Sequence, residues 1–208
     1  MKIAIDGPAG SGKTSLARAL AEHFGCRFLE TGKMYRAVAL GFAAGLAIEA
    51  IDLQATREGR LILNGEDVSD SLHTPELDQA SSEVATLPEV RERLVALQRE
   101  IAEGGDIVME GRDIGTVVLP DADVKIFLVA SPDERARRRV AEREGTEMDH
   151  SLREILIRDE RDSSRRISPL NVASDATIID TDRKPLVEVI SEVIHLVKER
   201  LEGRCFDG

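Results

Sequence analysis

The apolar residues of this chain follow two alternating periods. Short runs, KIAID at 2–6, RFLE at 27–30, IVM at 107–109, VKIFLV at 124–129 and ATIID at 176–180, read as strands, and several are apolar throughout. Between them, apolar residues recur every three or four positions. Leu16, Ala17, Leu20, Ala21 and Phe24 predict a helix over 13–24. Residues 35–47 read as a second helix, weakened by Gly41 and Gly45. Helices are expected over about 75–85 and 88–101, the latter with Pro88 in its first turn and a stop at Gly104 and Gly105. Ser131, Pro132 and Glu134 predict another start: Ser caps, Pro fits the first turn, and Glu completes a capping box. A charged helix over 149–166 follows. A last helix from near Pro185 carries the stripe Leu186, Val189, Ile190, Val193, Val197 and Leu201, and the tail 203–208 is expected to fray. The segment LILNGEDV at 61–68 differs, because Asn64 and Gly65 between apolar residues predict a tight β-hairpin.

Strands that alternate with helices and are apolar on both faces imply an α/β fold, a parallel central sheet covered by helices on each side. A length of 208 residues suits one domain. No apolar run is long enough to cross a bilayer, and the opening MKIAIDGPAG does not read as a signal peptide, so a cytoplasmic protein without membrane contact is expected. Cys26 and Cys205 read as unrelated thiols, and the four histidines show no metal-ligand spacing. The net charge of −11 argues against a nucleic-acid polymer as partner. Yet Arg135, Arg137, Arg138, Arg139, Arg143, Arg153, Arg158, Arg161, Arg165 and Arg166 crowd into one stretch, which suits a handler of small anions.

GPAGSGKT at 7–14 fits G-x-x-x-x-G-K-[ST], after a predicted strand and at the start of a predicted helix. Such a loop turns backbone N–H groups inward at phosphate oxygens, and the helix dipole adds to them. Gly7, Pro8, Ala9, Gly10, Ser11, Gly12, Lys13, Thr14 and Ser15 are therefore the expected ATP-binding residues, with Lys13 on the β/γ-phosphates and the Thr14 hydroxyl on Mg²⁺. A dinucleotide fingerprint is the rival reading of Gly10 and Gly12 with Glu30, but Ser15 stands at its third glycine. A regulatory GTPase would carry a guanine-reading N-K-x-D segment, and the chain has none. Taken alone, Arg158, Arg161, Asp162 and Arg165 are equally readable as one solvated helix face.

Several ordered segments, TGKMYR at 31–36, EGRDIGTVV at 110–118, VKIFL at 124–128, RDERDSSR at 158–165, SPL at 168–170, DA at 175–176 and IDT at 179–181, resemble the bacterial cytidylate kinases over nearly the whole chain. The resemblance implies a P-loop nucleoside monophosphate kinase fold in a single domain over 1–208. A nucleotide-binding insertion would span about 48–100 and a lid about 135–160. It implies transfer of the ATP γ-phosphoryl group to CMP or dCMP with Mg²⁺, by a monomer. Carried over by position, Ser82, Arg91 and Asp113 would face cytosine, and Arg158 and Asp162 the sugar. Thr31 would also line the CMP site, and Arg36, Arg112 and Arg165 would hold its phosphate. Lys13, Arg112 and the lid residues Arg135, Arg138 and Arg139 would stabilise the transferring group. Family members usually carry Asp where Glu30 stands and a small residue at Lys33, so both bear on the acceptor phosphate. Another P-loop kinase, acting on UMP, AMP or shikimate, and a nucleotide-binding regulatory module are the alternatives.

Overall fold

The computed structural model describes residues 1–204 except 57, 143, 144 and 146, so Arg143 of the arginine-dense stretch lies outside the described residues. Strands β1 (Lys2–Asp6), β2 (Arg27–Glu30), β6 (Ile107–Gly111), β7 (Val124–Val129) and β8 (Thr177–Asp180) form a five-stranded sheet in the order β2-β6-β1-β7-β8. All its pairings are parallel. Three short strands, β3 (Leu53–Ala55), β4 (Leu61–Leu63) and β5 (Glu66–Asp67), form a separate antiparallel sheet. Asn64 (φ 49°) and Gly65 (φ 86°) make the left-handed turn that the hairpin needs. Strand β3 had no signal, since three residues are too few to show alternation.

Two apolar layers cover the main sheet. Ile3, Ile5, Val108, Ile126 and Leu128 pack with Leu16 and Leu20 of α1 (Lys13–Phe24) and Val189, Val193 and Val197 of α7 (Leu186–Arg204). Ala4, Leu29 and Met109 point the other way. They meet Met34 and Val38 of α2 (Thr31–Ala43), Leu77 of α3 (Pro75–Val84) and Leu94 of α4 (Pro88–Glu103). Neighbouring strand residues thus serve opposite layers, which is why the strands read as apolar throughout. No described helix is long and apolar enough to cross a membrane.

Three local readings change. Helix α2 begins at Thr31, not at residue 35, because it follows β2 without a loop; Gly45 (φ 79°) lies beyond its end. At the start of α5 (Pro132–Glu142), Ser131 Oγ accepts from the Glu134 N–H at 3.3 Å, as a cap should. The reciprocal half of the capping box is absent: Asp182 accepts from the Ser131 N–H at 2.7 Å, and the Glu134 carboxylate pairs with Arg137 and Arg138. The charged helix is α6 (Met148–Ser164). Helix α7 continues through Arg204, and the rest of the tail lies outside the described residues.

Candidate active site

Strands β1 and β6 end side by side, with Asp6 paired to Gly111, so the loops leaving them emerge together at the carboxyl edge of the sheet. Open parallel sheets bind ligands at that edge. In the first loop, Gly7 has φ 147°, and a Cβ there would lie 2.4 Å from the Leu128 carbonyl oxygen; only glycine passes so close to β7. Gly12 caps α1 with no side-chain hydrogen bond, and the first turn holds no acidic residue. Its backbone donors and the positive helix end are left for an anion. Lys13 is buried and its Nζ donates to the Pro8 carbonyl at 2.7 Å; Ser11 Oγ donates to the same oxygen at 3.0 Å. Burial, reinforced by the cations Arg112 and Arg158 against Glu110, lowers the Lys13 ammonium to about 7. A site crowded with buried cations in this way is one that an anionic ligand would stabilise.

The second loop runs from Gly111 through Asp113 into a π-helical turn, Ile114–Val118. Asp6 carries it: its carboxylate accepts from the Ile114 N–H at 2.8 Å and the Gly115 N–H at 2.7 Å. Burial raises the Asp6 carboxyl from 3.8 to about 6 despite those bonds. A folded-state pKa above the unfolded one means that the native protein binds the extra proton between those values. Its stabilisation is present below pH 4 and lost as pH rises through 6. Relative to Asp6→Asn, the wild-type unfolding free energy is expected to fall by about 3 kcal/mol between pH 4 and pH 7 in urea titrations. A pH-independent difference would contradict this assignment.

Side chains singled out in the sequence meet at one cavity of about 210 Å³, among them Lys13, Thr14, Thr31, Arg36, Ser82, Arg91, Arg112, Asp113, Arg138, Arg139, Arg158, Asp162 and Arg165. Arg91 pairs with Asp113 inside it, and its guanidinium lies 5.7 Å from the Tyr35 ring centroid. Burial pushes the Asp113 carboxyl up, while Arg91 and Arg165 pull it down. Arg112 Nε donates to Asp162 at 2.8 Å. Burial alone would raise the Asp162 carboxyl, but Arg112, Arg158 and Arg165 outweigh it and hold it low. Burial, with Arg112 close by, lowers the Arg158 guanidinium to about 10. Several buried donors here have no partner among the described residues, among them Ser82 Oγ, Arg36 Nε, Arg91 Nε, Arg158 Nε, and Arg165 Nε and Nη2. Buried polar groups seldom go unpaired, so the cavity is built for something that accepts hydrogen bonds.

A larger cleft of about 900 Å³ adjoins it, lined by Gly10, Ser11, Gly12, Lys13, Thr14 and Ser15 and by Thr181 and Arg183. Lys13, Thr14 and Arg138 border both spaces. Arg135 does not line either. Its guanidinium is a clamp, giving a bidentate pair to Asp159 at 3.0 and 2.6 Å and a bond to the Ala9 carbonyl at 3.2 Å. It ties the phosphate loop to α6. Glu30 pairs with both Arg36 and Lys33.

Glu110 had been given no role. Thr14 Oγ1 donates to its Oε1 at 2.9 Å across 96 residues of chain, and burial raises this carboxyl against the pull of Lys13. The Thr31 hydroxyl is spent on the Glu110 carbonyl at 2.8 Å, which ties α2 to β6. Residues 3–199 match the family described as cytidylate kinase.

The chain belongs to the cytidylate kinase family. A cytidylate kinase of Mycobacterium leprae is 50% identical, with 95% of this chain and 96% of that protein covered. One from Pelotomaculum thermopropionicum is 46% identical, with 92% and 93% covered. The fold is shared more widely: a gluconokinase from Sinorhizobium meliloti superposes with a TM-score of 0.54 at 20% identity, covering 100% of this kinase and 97% of that chain. The fold is thus that of P-loop kinases, an α/β layer structure around a parallel sheet. As a cytidylate kinase family member, the chain is an ATP-dependent phosphotransferase.

Proposed function

We propose that this kinase transfers the γ-phosphoryl group of ATP to CMP or dCMP, with CMP in the smaller cavity and ATP in the larger cleft. The unpartnered buried donors carry this reading, because they surround a buried carboxylate in a space that opens onto the phosphate loop. Cytosine offers an amino donor at N4 and acceptors at N3 and O2. Asp113 can accept from N4, while Arg91 and Ser82 can donate to N3 and O2. Arg158 and Asp162 take the sugar. Arg36, Arg112 and Arg165 hold the phosphate, each guanidinium fork matching paired oxygens.

On the donor side the loop N–H groups and Lys13 take the β/γ-phosphates. A hydroxyl bonded to a carboxylate, Thr14 on Glu110, is a set of hard oxygen donors that suits Mg²⁺, which keeps several waters besides. Thr14 and Glu110 would hold the ion, which supplies charge neutralisation between the phosphates. The acceptor phosphate is already anionic near neutral pH, so no general base is required. The side chains align the acceptor oxygen with the γ-phosphorus, and Lys13, Arg112, Arg138 and Arg139 stabilise the charge that spreads over the transferring group. Arg135 acts by holding the loop in place. The proposal extends to an enzyme that works as a monomer in the cytoplasm.

Initial rates with CMP, dCMP, UMP, AMP and shikimate, read as ADP formed, test the reading. CMP or dCMP is expected to be preferred. Faster phosphorylation of UMP or AMP would overturn the base assignment.

A further inference from the structure

Among the carboxylates that line the acceptor cavity, Asp78 has no place in that scheme. Asp78, on α3, accepts at Oδ1 from Arg36 Nη1 at 2.9 Å and at Oδ2 from Arg139 Nη2 at 3.4 Å. All three side chains are largely buried, at 13%, 10% and 14% exposure, so solvent screens these pairs poorly. Arg36 belongs to α2 and Arg139 to α5, so Asp78 joins elements that the other acid on Arg36 does not. Glu30 pairs with Arg36 and Lys33, both on the helix that follows it.

A carboxylate bridging two arginines copies what a phosphate would do there. Both terminal nitrogens of Arg36 are already engaged by acids, whereas Arg165 Nη2 stands ready. A dianion entering the cavity therefore finds unpartnered donors on Arg165, at Nε and Nη2, and terminal donors on Arg36 that it must win. Two anions cannot share a guanidinium edge in a buried site without strong repulsion.

We propose that Asp78 is a placeholder for the acceptor phosphate: it occupies Arg36 and Arg139 until the phosphate of the acceptor nucleotide displaces it, which frees Arg139 for the transferring group. This rests on the reading that places the acceptor phosphate at Arg36. Two consequences follow from the charge arithmetic. Acceptor affinity is reduced by the fraction of time the carboxylate holds the site. In the absence of acceptor, Arg139 is kept from ATP, which suppresses transfer to water.

Asp78→Asn in the 208-residue enzyme keeps the shape and removes the charge. Its KM for CMP is expected to fall about five-fold, as the competing state is removed. Hydrolysis of ATP without acceptor is expected to rise at least about three-fold, since a charge-stabilising arginine is then held only by the half-exposed Glu154, at 3.4 Å. Asp78→Glu should restore wild-type behaviour in both assays. A merely structural role predicts the opposite sign, a raised KM with a lowered melting temperature. An Asn variant whose KM is unchanged or raised overturns the placeholder. Arg36→Ala, measured beside it, separates the two layers of the argument. If it raises the KM for CMP ten-fold or so while Asp78→Asn does not lower it, the phosphate site stands and the placeholder fails. If it leaves the KM alone, the phosphate site itself is wrong and the placeholder falls with it.

Discussion

Replacing Lys13 by Met is expected to lower kcat about a thousand-fold while the protein stays folded. The reason lies in where the ammonium sits. It is buried at the first turn of α1, borders both the donor cleft and the acceptor cavity, and reaches the Pro8 carbonyl at 2.7 Å. A cation there meets charge that grows on the γ-phosphoryl oxygens as the transition state forms, and water cannot substitute for it in a closed site. Met keeps the length and the packing of the stem. Because burial lowers the Lys13 ammonium to about 7, folding binds fewer protons than the unfolded chain does between 7 and 10.5. The lysine thus costs stability when charged, and that cost shrinks as pH rises. The variant should melt no lower than wild type at pH 7 by calorimetry. A kcat within ten-fold of wild type would remove Lys13 from the chemistry.

The phosphate loop was legible because all its parts are local: a strand, a glycine turn and a helix start lie within one short segment. The central sheet was legible for a related reason, since strands buried on both faces cannot hide their composition. The pairings that organise the site were not. Thr14 meets Glu110, Asp6 meets Ile114 and Gly115, and Asp78 meets Arg139, each across dozens of residues. No periodicity marks such partners. The family resemblance named the arginines but not which were spoken for. Arg135 illustrates this: its place in the arginine-dense segment suggested phosphate contact, while its fork closes on Asp159 and the Ala9 carbonyl. Glu134 shows the same limit at a helix start, where its spacing fits a capping box but two arginines on the next turn claim the carboxylate. In a segment this rich in charge, composition shows that cations gather, and only geometry shows what each one holds.

Asp113→Asn should cost about a hundred-fold in kcat/KM for CMP and bring the CMP and UMP values close together. The carboxylate only accepts, so it matches the N4 amino group of cytosine and repels the O4 oxygen of uracil. An amide has both an acceptor and a donor and can turn to suit either base. Discrimination built on an unpaired buried polar group is steep, and it vanishes once the group can adapt. The pair with Arg91 complicates the measurement, because neutralising one member leaves a buried cation beside Tyr35. Loss of such a partner costs about 3–5 kcal/mol of stability, so rates should be taken well below the melting point of the variant. Ser82→Ala supplies the control. Ser82 Oγ has no partner in the cavity, so its removal breaks no bond and should leave the melting temperature unchanged while it weakens CMP binding. If Asp113→Asn keeps the wild-type ratio of CMP to UMP activity, the base is read elsewhere, and the cavity between Arg91 and Arg165 serves the phosphate and sugar alone.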